Sequence, residues 1–102
     1  MNTLRSRKDI EIDFVKACNQ SRELMNISNN LFKIAGSDMM ETMAMVRLSW
    51  QGGNVESFYG KTEKLRTDLM NIAEDLARIA NHINHTADII YRKEMITIGV
   101  CS

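Results

Sequence analysis

Ser49-Trp50-Gln51-Gly52-Gly53-Asn54 decides the fold. Two adjacent glycines supply backbone freedom that no other residue pair in the chain offers, so the stretch reads as a turn. Asn54 is a favoured N-cap, because its side-chain oxygen accepts from an orphan N–H of the next helix. Apolar residues recur with helical spacing from about Ile10 up to this stretch, and again from it to about Ile90. The pattern predicts an all-α chain, a long helix-turn-helix hairpin with its single tryptophan at the corner, residues 49–54.

Working back from the corner, helix 1 is expected over about residues 8–48. Its inward face reads Ile10, Phe14, Ala17, Ser21, Leu24, Ser28, Leu31 and Ala35, in steps of three and four. Cys18, Met25 and Phe32 flank this stripe on one side, and Ile27 and Ile34 on the other. At ~100° per residue the apolar arc spans roughly 200°, about twice what a single helix–helix seam needs. Ser21 and Ser28 are small enough for close helix approach, and their hydroxyls are able to bond back to the preceding turn. Gly36 is the weak point, costing about 1 kcal/mol relative to alanine, so a continuous helix with a bend is expected there. Met39, Met40, Met43 and Met45 fill irregular gaps near the corner.

Working forward, helix 2 is expected over about residues 55–94. Its stripe is Phe58, Thr62, Leu65, Leu69, Ile72, Leu76, Ile79, Ile83, Thr86 and Ile90, bordered by Ala73, Ala80 and Ala87. This seven-residue repeat implies shallow, coiled-coil-like crossing. The tail, residues 95–102, is β-branched and apolar and departs from the pattern. Phe14, Leu24, Leu31, Leu65, Leu69, Leu76 and Ile83 are the expected core of the hairpin or of a dimer. A hairpin with so wide an arc leaves apolar surface wet. A second hairpin beside it closes an antiparallel four-helix bundle, so a homodimer, or a heterodimer with a related hairpin, is expected.

The chain has 102 residues, room for one domain. Its 13 basic and 13 acidic residues are interspersed, without the basic face of a nucleic-acid binder. Proline is absent, which favours an all-α reading. No run approaches the ~18 apolar residues of a membrane span. The basic start, Arg5, Arg7 and Lys8, gives way at once to Asp9, Glu11 and Asp13, so no apolar signal-peptide region is expected. In a hairpin turning near Gly52, Cys18 and Cys101 are offset by roughly 20 Å at ~1.5 Å per residue, too far for a disulfide.

No nucleophile–base pair and no phosphate-binding loop is legible, since Gly52-Gly53 lacks the lysine and spacing of one. His82 and His85, with Asp88 three residues on, fall on the outer face or its border, whereas bundle metal sites project inward. The expectation is a non-enzymatic protein without metal or cofactor.

Trp50-Gln51-Gly52 is a W-x-G motif in the loop of a proline-free helical chain of about one hundred residues. This resembles the W-x-G family of small type VII secretion proteins, the early-secreted-antigen type, over nearly the whole length. The resemblance implies a hairpin that dimerises into an antiparallel four-helix bundle. It also implies export of the folded pair by a membrane-embedded secretion ATPase. The protein would be made in the cytoplasm and released, to the medium or the cell surface, without a signal peptide. Family members often carry a tyrosine followed four residues later by an acid, just past helix 2, read together with the partner's W-x-G corner. Here Met95 stands four residues after Tyr91, so the strict form fails; Ile90 with Glu94 fits a looser form. Trp50 and Gly52 at the corner, and Ile90, Tyr91 and Glu94 at the tail, are thus the candidate recognition residues. Tail and corner of one chain would stand on the order of 55–60 Å apart along helix 2 at ~1.5 Å per residue, so a composite signal requires a pair. The second reading is a targeting adaptor that covers the helical leader of a larger toxin. A membrane-active hairpin is disfavoured, because interfacial helices favour a lysine-rich polar face.

Overall fold

The computed structural model describes residues 5–50 and 52–99. They form α1 (Arg7–Lys33), a π-helical segment (Ile34–Asp38), α2 (Met39–Ser49) and α3 (Gly53–Thr97), with no strand among them. The topology is helix-turn-helix. Gln51 of the motif and Cys101 lie outside the described residues. The chain divides into two compact units, a terminal unit (Met1–Met25 with Ala77–Ser102) and a corner unit (Asn26–Leu76).

In the terminal unit, Ser6 caps α1: its Oγ accepts from the Asp9 N–H at 3.1 Å, and its carbonyl accepts from the Ile10 N–H. α1 packs antiparallel to the last part of α3. Ser21 Oγ donates to the Ala80 carbonyl at 2.7 Å, and the Phe14 and Tyr91 rings meet with centroids 4.6 Å apart. Ile10, Ser21, Ala80 and Met95 are buried. α3 ends where the Ile98 N–H bonds to the Glu94 carbonyl and the Gly99 N–H to that of Ile96; Gly99 takes a positive φ of 78°.

In the corner unit, Ser28 Oγ donates to the Ala73 carbonyl at 2.6 Å and the Tyr59 hydroxyl to the Met43 carbonyl. Ser28, Ala35, Met43, Val55 and Ala73 are buried. Ser28 and Ala35 are seven residues apart, but the next buried position, Met43, is eight further on. The π-helical segment absorbs that extra residue, since a π turn bonds i to i+5 and shifts the phase of the residues beyond it. Arg66 of α3 supports it, with Nη1 3.5 Å from the Ala35 carbonyl and the guanidinium paired to Glu63 at 3.1 Å.

Helix 1 runs without a break over residues 7–49, close to the expected 8–48, and the segment around Gly36 is π-helical. Three expectations are corrected. Helix 2 is longer than residues 55–94: it begins at Gly53, so Asn54 lies inside the first turn rather than capping it. The tail does not depart from the helix at residue 95, since Met95 is buried and helix persists through Thr97. Finally, the serine hydroxyls do not bond back to their own helix; each crosses to a carbonyl of the facing one.

Candidate functional site

Close approach of α1 and α3 determines which side chains remain outside. Each seam is built from small residues, so backbones come near enough for a serine hydroxyl to reach across. Each such bond contributes about 0.5–1.5 kcal/mol net. The large apolar side chains buried among the described residues are Ile10, Met43, Val55 and Met95.

The larger aliphatic residues lie to one side of the seam. In the corner unit, counting at ~100° per residue from Ser28 and from Ala73, Ile27, Leu31 and Ile34 rotate in the same sense as Leu65, Leu69, Ile72 and Leu76. Because the two helices are antiparallel, this carries both sets to one common face. Leu31, Leu69 and Leu76 are half-buried there, whereas Ile27, Ile34, Leu65 and Ile72 are 43% to 53% exposed. Leu65 thus lies outside the hairpin seam. In the terminal unit, Phe14, Leu24 and Ile83 are half-buried and Ile79 is exposed.

The turn belongs to the corner unit. Trp50 is extended, with φ −101° and ψ 147°, and its N–H closes α2 on the Val46 carbonyl at 2.8 Å. Gly52 has φ 102°, a conformation that side-chain-bearing residues rarely adopt, which explains a glycine two residues after the tryptophan. The Trp50 ring rests on Phe58, centroids 5.3 Å apart, yet stays 50% exposed beside Leu48 at 86%. Arg47 covers the Tyr59 ring at 4.2 Å and reaches Glu56 at 3.6 Å. The corner therefore presents an anchored but accessible indole, the kind of aromatic residue that carries binding energy at interfaces.

The tail residues belong to the terminal unit, where they share one groove. Arg5, Ile10, Phe14, Ile90, Tyr91 and Glu94 line it. Ile90 is half exposed, while Tyr91 is partly covered by Phe14. The Glu94 carboxylate takes Arg5 Nη1 at 3.3 and 3.4 Å. Arg5 also donates through Nη2 to the Asp13 carboxylate and to the Asp9 carbonyl, the latter at 3.2 Å. The hydrogen bond to Asp13 is the main reason the guanidinium pKa lies above its ordinary value. The charges of Asp13, Glu94 and Asp9 add to it, against a loss of solvation. Sequence reasoning began helix 1 at about residue 8 and missed Arg5. The available signal was Ser6 three residues before Asp9, which places a cap at the head of α1, with Arg5 one residue ahead of it.

His82 and His85 are both exposed. Among the described residues no three His, Cys, Asp or Glu side chains are grouped to hold a metal ion, and no helix is long and apolar enough to cross a membrane. Cys18 is a half-buried free thiol. Compared with known proteins, the chain matches no family model, no curated protein and no solved structure.

Proposed function

We propose that this protein is a non-enzymatic helical partner in type VII secretion, a small substrate or co-secreted chain that acts as a dimer and carries a composite export signal. The observation that carries the reading is the aliphatic face of the corner unit, from Ile27, Leu31 and Ile34 to Leu65, Leu69, Ile72 and Leu76. Seven large side chains on one face, beside a seam made of Ser and Ala, suit coverage by a second hairpin, giving an antiparallel four-helix bundle. The occupant is a second copy or a related hairpin. The exposed Trp50 indole supplies one half of the signal and the Ile90, Tyr91 and Glu94 group of a neighbouring chain the other. The secretion ATPase is the receptor. A larger toxin whose helical leader covers the same aliphatic face is the second reading; co-expression with neighbouring genes separates the two, since a toxin in the complex marks the adaptor.

Trp50→Ala tests the signal. The ring rests on Phe58 and is half exposed, so its loss removes about 0.5–1.5 kcal/mol of ring–ring contact beyond the area it buries, without opening the seam. Helicity by circular dichroism and dimer mass are expected to be retained, and secreted protein is expected to fall to background. Unchanged secretion of the folded variant, in every partner combination, would leave the tryptophan as packing and remove the composite signal.

A further inference from the structure

We propose that Arg5 masks the tail signal: the N-terminal arm holds the Glu94 carboxylate in an intramolecular ion pair that the export receptor must displace with a cation of its own. This rests on the reading of Ile90, Tyr91 and Glu94 given above, and adds a regulatory contact to it.

Several observations converge on Arg5. Its guanidinium forks between two carboxylates, Glu94 of α3 and Asp13 of α1, so one side chain ties the head of one helix to the end of the other. It stands outside the helix, one residue before the Ser6 cap. The cap bond from the Asp9 N–H to Ser6 Oγ does not involve Arg5, so Arg5 is able to leave Glu94 with that cap in place. The acceptor is the one acidic residue of the candidate signal. Glu94 retains 27% of its side-chain exposure and Arg5 43%, so the pair is open to water and to a competitor. Exposed pairs of this kind are weak and screened by salt, which suits a contact that has to open. Arg5 also borders the groove that holds Ile90 and Tyr91, so its withdrawal frees the Glu94 carboxylate beside one aliphatic and one aromatic side chain. The receptor chemistry that fits is an apolar pocket with an arginine or lysine at its edge.

The test compares secreted with cytoplasmic protein for full-length chains, expressed with their partner in cells carrying the secretion machine. Arg5→Gln is expected to raise the secreted fraction about two- to fivefold, the range an exposed ion pair is able to hold back. Arg5→Lys, which keeps the charge but not the fork, is expected to fall between. Arg7→Gln removes a neighbouring cation whose partner is Glu11 at 3.0 Å, and should leave export unchanged. Adding Glu94→Ala to Arg5→Gln should abolish the gain. Equal or lower export of helical Arg5→Gln and Arg5→Lys overturns the masking. A rise that survives Glu94→Ala overturns it as well, since the effect would then not run through the carboxylate. If the wild-type chain is not exported with any partner, the secretion reading itself fails, and Arg5 is only a terminal staple.

Discussion

Replacing Ala73 with leucine is expected to destabilise the protein by about 2–4 kcal/mol, the cost of overpacking plus a stranded buried hydroxyl. Ala73 is fully buried, and its carbonyl receives the Ser28 hydroxyl at 2.6 Å. A leucine brings three more carbons into space that the facing backbone already fills. Relief comes only if α3 backs away, which breaks the Ser28 bond. Urea unfolding followed by circular dichroism measures the loss. The same leucine at Asn71, exposed and rotated away from the seam, should change stability by less than ~0.5 kcal/mol. An Ala73→Leu protein as stable as wild type would mean that the helices do not approach closely at this level.

Leu65→Glu combined with Ile72→Glu is expected to weaken association more than about a hundredfold. Both side chains lie on the aliphatic face and about half of each is exposed, so neither substitution opens the hairpin seam. In a pair, each carboxylate would have to be buried without a partner or held apart from the opposite face. Either costs several kcal/mol, and every 1.4 kcal/mol is tenfold in Kd. Ile89→Glu is the control, an exposed aliphatic position rotated well away from that face, and should leave association within about twofold. Concentration-dependent sedimentation of the three proteins reads the difference. Equal association of the double variant and wild type would place the interface elsewhere.

Most of the helical architecture was legible because periodicity survives errors at single positions. The turn was legible because Gly52-Gly53 has few other uses in a helical chain. Phase was harder to read. A one-residue slip between Ala35 and Met43 is concealed by methionines at 39, 40, 43 and 45, which make several registers look equally apolar. Spacing alone also selected the larger residues on helix 2 for the inward stripe. The seam instead follows Ala73 and Ala80, because close approach rewards small side chains and leaves Leu65 and Ile72 on the outside. Hydropathy marks where apolar surface exists, not which neighbour covers it. The candidate site was legible at Trp50 and Gly52, where a motif coincides with a turn. Glu94 was named from the sequence, but its surroundings were not legible, because they depend on an arginine eighty-nine positions away.

If a second hairpin covers the aliphatic face, the decisive quantity is mass in solution. Purified at micromolar concentration, alone and co-expressed with the products of adjacent genes, the protein should sediment at twice the 11.7 kDa of one chain, or as a one-to-one complex with a related hairpin. A stable, fully helical monomer under both conditions would contradict the pairing, and with it the composite signal that depends on two chains.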